Sequence, residues 1–250
     1  MLRQKRDNIE WLEFELFQQF PAVRHAIFLR HGGVSAAPYH TLNMGGGTGD
    51  DADRIQMNRN LMLQLLECAS LASGHQVHGS TVLEAPLNED EPQTCDGLFT
   101  KKCDIGLVIK HADCQAAIFY DPVENVIANV HAGWRGNVQN IYHAAIDQLK
   151  KQYGCRPENL FVGVSPSLGP CCAQFINYQT ELPASFLKYQ VRPLYFDLWE
   201  IGRDQLLEAG VLPHHLQMAE ICTRCNPQDY FSHRREKPTG RHATVITLKK

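Results

Sequence analysis

No stretch of the 250 residues is apolar for long enough to cross a bilayer, and neither sign of charge predominates. Lysine and arginine number 24 against 27 aspartates and glutamates, a formal net charge of −3, so bulk electrostatics do not favour nucleic acid as a partner. The amino-terminal segment MLRQKRDNIEWLEFELF is basic but has no continuous apolar stretch and no small-residue cleavage site, so no secretory signal is expected. Internal repeats, low-complexity tracts and Pro/Gly/Ser-rich linkers are missing as well. The nearest approach to a boundary, EAPLNEDEPQTCDG (84–97), is acidic and proline-punctuated and reads as a surface loop. One domain over residues 1–250 is therefore expected. The nine cysteines are an odd number in a chain too long to need disulfide staples. They point to a reducing compartment, the cytoplasm, with cysteines as buried apolar residues, metal ligands or nucleophiles.

What is present is a run of strand patterns broken by three helical ones. WLEFELF alternates Leu12, Phe14 and Leu16 with Glu13 and Glu15, the pattern of a half-buried strand. HAIFLR runs as a second strand into the glycine-rich loop HGGVSAAPYHTLNMGGGTGDD. DADRIQMNRNLMLQLLECASL places Ile55, Met62, Leu65, Leu66 and Ala69 on one helical face, with Asp50 or Asp51 as N-cap. HQVHGSTVLEA, IGLVIKH, AAIFY, VIANVH, LFVGVS and ATVITLK read as strands. NVQNIYHAAIDQLKKQYG and DLWEIGRDQLLEAG read as helices closed by Gly154 and Gly210. Strands outnumber helices and hairpins mix with crossovers, so an α/β (α+β) mixed-sheet sandwich flanked by helices is expected.

The chemistry concentrates in HADCQAAIFYDPVENVIANVHAGWRG (111–136). DPVEN is a turn, and folding the chain about Pro122–Val123 sets Cys114 opposite His131 in an antiparallel hairpin, with backbones roughly 5 Å apart. A one-residue slip would turn one of them to the other face. A thiol beside an imidazole suits a nucleophile with its base, or two ligands of a zinc ion. His78 in HQVHGS, next to a glycine, offers a third ligand, and a Cys-His-His set keeps one coordination position open. Two buried core residues and a strand-end histidine are the bland alternative, and with twelve histidines in the chain the spacing alone does not choose. CTRC (222–225) resembles half of a zinc site, but no second CxxC completes it, so a structural role is expected there. PCC (170–172) has no reading from pattern alone.

HADCQAAIFYDP…VHAGWRG resembles the signature of the bacterial purine nucleoside phosphorylases formerly labelled laccase-domain or multicopper polyphenol oxidase proteins. FLRHGGVSAAPYHTLNMG, GDDADRIQMNRNLM, QVHGSTV, CDGLFTKK and ICTRCNPQDYFSHRREKPTGRHATVI each resemble a family segment, in family order. The resemblance implies a cysteine-hydrolase-like fold and His78, Cys114 and His131 as ligands of zinc, with copper as a second metal. It also implies phosphorolysis of adenosine, inosine, guanosine and methylthioadenosine, and deamination of adenosine. It weakens at GVSPSLGPCCAQFINYQ (163–179), where Gln174 and Asn177 stand near the family's usual acidic position. A true multicopper oxidase needs a blue-copper site and a trinuclear cluster fed by many histidines, and this chain has no His-x-His.

The partners so implied are a purine nucleoside and phosphate, with no nucleic acid or membrane, acting on a monomer or homodimer. Asp113, beside Cys114, is the candidate acid for the departing ammonia, or else a strand-end hydrogen-bonding residue. Arg30 in LRHGG, where the glycines after His31 could present backbone amides, is the candidate phosphate anchor, ahead of Arg135 and Arg234. Trp134 offers purine stacking or simple packing. Two rivals stand beside this reading. One is a metal-free hydrolase of an amide or cell-wall precursor peptide, with Cys114 as nucleophile and His131 as base. The other is a zinc-binding interaction module that turns over nothing.

Overall fold

A computed structural model of the chain describes residues 1–85 and 93–250; the 86–92 part of the expected surface loop lies outside the described residues. The first half contains β1 (Leu2–Arg6), β2 (Ile9–Glu13), β3 (Val23–Phe28), α1 (Ala52–Leu66), β4 (Ser70–Ala72), β5 (Val82–Glu84) and β6 (Gly97–Thr100). β7 (Ile105–His111), β8 (Gln115–Asp121), β9 (Val126–Ala132), α2 (Trp134–Val138) and α3 (Ile141–Tyr153) follow. The last part holds β10 (Phe161–Val164), α4 (Tyr178–Glu181), β11 (Gln190–Arg192), β12 (Tyr195–Phe196), α5 (Leu198–Glu208), β13 (Leu216–Met218) and β14 (His242–Leu248).

The strands form two six-stranded mixed sheets, ordered β1-β2-β3-β14-β7-β4 and β13-β10-β8-β9-β6-β5, with β11 and β12 as a separate pair. Between the sheets, Leu12, Ile27, Leu107 and Ile246 of the first, with Phe14 just after β2, meet Leu98, Ile118, Tyr120 and Ile127 of the second. The outer face of the second sheet packs Ala117, Phe119, Ala128 and Val130 against Ile141, Tyr142, Ala145 and Leu149 of α3. The outer face of the first packs Ala26, Phe28, Val108 and Val245 against Met62 and Leu66 of α1. The expected sandwich flanked by helices is the architecture observed. Because both faces are covered, every residue of β8 and β9 is buried, and the two strands read as near-continuous apolar runs.

α1 starts where the side chain of Asp51 accepts the N–H groups of Asp53 and Arg54, at 2.9 and 3.1 Å. It turns inward Ile55, Met62 and Leu66, and also Asn58. Asn58 Nδ2 donates to Ser35 Oγ and to the Asn43 carbonyl, and its Oδ1 accepts from Val34 N, which pins the glycine-rich loop onto the helix. Two expectations change. WLEFELF stops being a strand at Glu13, and Glu15–Phe17 forms a 3-10 turn that buries Phe17. HQVHGSTVLEA is a strand only over Val82–Glu84, so His78 sits in a loop, not at a strand end.

Candidate metal centre

β8 and β9 pair with Ala116 opposite His131 and Gln115 opposite Ala132. Cys114, just before β8, thus lies one step diagonal to His131 rather than directly across. The turn is centred one residue later than expected because Asp121 Oδ1 accepts Val123 N and Glu124 N, at 2.9 and 3.2 Å, which draws all of 122–125 into it. A one-residue move of the centre shifts the partner by two, so the side-chain face is preserved.

Asp96, fully buried just before β6, organises the rest. Its carboxylate accepts the backbone N–H groups of Val77, His78 and Gly79 at 3.1, 2.9 and 2.8 Å. Three amides turned towards one carboxylate cannot also serve a strand ladder, and this holds His78 at φ +63°. Asp96 Oδ1 also takes the Nδ1 of His131 at 2.8 Å, leaving Nε2 as the free ligand atom. Gly133 completes the approach: a Cβ there would stand 2.7 Å from His78 Cδ2 and 3.1 Å from Cys114 Sγ.

One ligand atom each from His78, Cys114 and His131 lies within 4.8 Å of the other two. Burial raises the Cys114 thiol, but the His131 charge and hydrogen bonds from His131 and His78 outweigh it and bring the thiol down to about 6. Burial opposes the charged form of His131, but Cys114 and Asp96 push it up to about 9. One thiolate and two imidazoles with one imidazole braced by a carboxylate fit zinc, and the cluster borders open space on two sides.

On one side is a largely apolar cavity of about 320 Å³ walled by Trp134, Leu168, Phe175 and Leu198, with Arg135 and Arg234 at its border. Trp134 meets Phe175 edge-on at 6.1 Å and carries Arg135 over its face at 4.4 Å. On the other is a cavity of about 350 Å³ bordered by Gly45, Gly46, Lys110, Arg241 and the cluster. Burial, then Arg59, lowers Lys110 to about 8. His78, Cys114 and His233 border both spaces.

Of the residues singled out from sequence, the structure joins His78, Cys114 and His131, with Trp134, Arg135, Arg234 and Asp113 beside them. Asp113 is held at φ +91°, with one oxygen accepting from Thr223 Oγ1 at 2.7 Å and the other from Arg234 N at 2.6 Å. Arg30 stands apart from them. It borders neither cavity, and its guanidinium donates to the carbonyls of His40 and Pro227 and lies over Phe231 at 4.7 Å. Asp96, Lys110 and Arg241 join the site without any distinguishing pattern of their own in the sequence; their only signal there is a place inside CDGLF, IGLVIKH and TGRHATVI.

A family model described as multi-copper polyphenol oxidoreductase laccase matches residues 24–249. The chain is 29% identical to the purine nucleoside phosphorylase YlmD of Geobacillus stearothermophilus, over 87% of each. It is 31% identical to a purine nucleoside phosphorylase of Xylella fastidiosa, over 91% of this chain and 93% of that one. The crystal structure of YlmD from Geobacillus stearothermophilus superposes with a TM-score of 0.87 at 27% identity, covering 99% of this chain and 98% of that one. With nearly its whole length matched in sequence and in fold, the chain belongs to the family described as multi-copper polyphenol oxidoreductase laccase.

Proposed function

We propose that this protein is a zinc-dependent purine nucleoside phosphorylase that also deaminates adenosine, with His78, Cys114 and His131 as the metal ligands. The observation that carries the proposal is the convergence of three ligand atoms where an aromatic cavity meets a cationic one. The names of the similar proteins support the substrate class. Among the described residues, His, Cys, Asp and Glu side chains gather in only two potential metal-holding groups, too few for four coppers. Zinc bound at the three ligands would supply a Lewis acid and a water acidified towards neutral pH.

The chain's own residues account for binding and orientation. Trp134 and Phe175 offer a purine ring apolar faces, and Lys110 and Arg241 draw phosphate to the opposite side. A phosphate oxygen placed there attacks the ribose anomeric carbon as the bond to the purine nitrogen breaks. The base leaves with the electron pair and takes up a proton, giving a sugar 1-phosphate. Adenosine, inosine, guanosine and methylthioadenosine all present this bond. Asp113 tethers the cavity wall through its two hydrogen bonds, and proton donation to departing ammonia would have to share one of them. The same reading expects a cytoplasmic monomer or homodimer.

The test is metal content and adenosine turnover with and without phosphate. His78→Ala is expected to lose the metal of this centre, with both activities falling on the order of 100-fold or more. Undiminished zinc and activity in that variant would overturn the proposal. Copper at the same residues is distinguished by the same metal measurement.

One observation favours a second reading. Asp96, His131 and Cys114 stand in the order carboxylate–imidazole–thiolate, with the thiol acidified, as a cysteine hydrolase of amides would require. That reading expects rapid inactivation by iodoacetamide, an acyl-enzyme intermediate and indifference to chelators.

A further inference from the structure

CTRC (222–225) lacks a second CxxC, yet the fold completes it from elsewhere. Cys171 and Cys172 follow β10, and their sulfurs and those of Cys222 and Cys225 all lie within 4.8 Å of one another. Cys171 Sγ is 3.6 Å from the sulfurs of Cys172 and Cys225, and Cys172 Sγ is 3.5 Å from that of Cys225. Four sulfurs each ~2.3 Å from a tetrahedral zinc ion stand about 3.8 Å apart. A disulfide would need about 2.05 Å, and an iron–sulfide cluster would hold cysteine sulfurs farther apart than these. Cys172 and Cys222 are buried, Cys171 and Cys225 are exposed, and Arg224 places a cation 3.4 Å from Cys172 Sγ that offsets thiolate charge.

We propose that Cys171, Cys172, Cys222 and Cys225 hold a structural zinc ion in a closed four-thiolate site, additional to the His78–Cys114–His131 centre. Its place in the fold gives it a task. Ser167 N donates to the Ile221 carbonyl and Thr223 N to the Ser167 carbonyl, so the two cysteine-bearing segments already run side by side. The first segment supplies Leu168 and Phe175 to the aromatic cavity, and Arg234 follows the second. Arg234 Nη1 donates to the carbonyls of Cys172 and Gln174, at 3.3 and 2.9 Å. An ion shared by both segments clamps the wall of the purine-side cavity without taking part in the chemistry.

The test is made in a Cys114→Ala background, which disables the other centre and keeps the count independent of it. Protein purified under reducing conditions without chelator is expected to carry one zinc per chain. Replacing its zinc with cobalt is expected to give the intense sulfur-to-metal absorption of a four-thiolate site. Adding Cys222→Ser and Cys225→Ser is expected to remove that metal and to lower the thermal unfolding midpoint. If these serines prevent folding, the count in Cys114→Ala alone decides. No bound metal in that protein overturns the proposal, as does iron in place of zinc, or a disulfide among the four cysteines found by mass mapping.

Discussion

Arg30 and Arg241 carry the same guanidinium and meet different surroundings. Arg30 is held by the carbonyls of His40 and Pro227 and by the face of Phe231. Arg241 donates to the carbonyls of Thr239 and Gly240 but borders the cationic cavity, next to Gly45, whose missing Cβ leaves space for its stem. Arg30→Ala is therefore expected to cost about 2 kcal/mol of stability by urea unfolding, with the phosphate KM unchanged. Arg241→Gln is expected to raise the phosphate KM on the order of 10-fold, equivalent to ~1.4 kcal/mol, with little change in the nucleoside KM. Steady-state kinetics at varied phosphate separate the two, and a reversed outcome would restore Arg30 as the anchor. In sequence both arginines precede a histidine and stand near glycine, and nothing local separates them, because the direction of a side chain depends on partners far along the chain.

At the scale of elements, local signals were sufficient where the element makes its own hydrogen bonds. α1 begins at an aspartate that accepts two amides of the first turn and ends at Glu67, in left-handed conformation at φ 50°. Asp51→Ala is expected to lower stability by about 1 kcal/mol while leaving nucleoside turnover intact, as denaturant midpoints and kinetics on one preparation would show. The β8–β9 hairpin is legible in outline because two apolar runs flank a turn-forming Asp-Pro. Its register is not, since the Asp121 side chain decides how many residues the turn absorbs. The stretch around His78 has the pattern of a strand yet forms a loop, because the group that captures its amides, Asp96, is supplied by another part of the chain.

Across the whole molecule, burial of histidines links the fold to pH. His25 Nε2 accepts the Phe14 amide at 2.8 Å and His242 Nε2 accepts the Phe231 amide at 2.9 Å, so both nitrogens must be unprotonated. Burial lowers His25 to about 4 and His242 to about 3, and it carries His111 well below its usual range. An unfolded histidine titrates near ~6.5, so between there and the folded values the unfolded chain binds more protons than the native one. The contribution of these residues is complete above about pH 6.5. It is lost progressively as pH falls from about 6.5 to about 4 for His25 and to about 3 for His242, at up to about 1.4 kcal/mol per pH unit for each site. Urea midpoints at pH 7, 6 and 5 should fall progressively, and a flat profile would show that these histidines do not govern acid stability.

The class of fold, the positions of most strands and helices, the family and the three metal-ligand candidates are all legible in the chain before it folds. Those features follow from periodicity, capping residues and linked motifs, each written in a short window. That Asp96 braces His131, that Lys110 and Arg241 but not Arg30 border the space beside the centre, and that Cys171 and Cys172 lie against CTRC emerges from folding alone. Each of these contacts joins residues carried by separate segments, and their distances come into being only when strands far apart in the chain are laid side by side in a sheet.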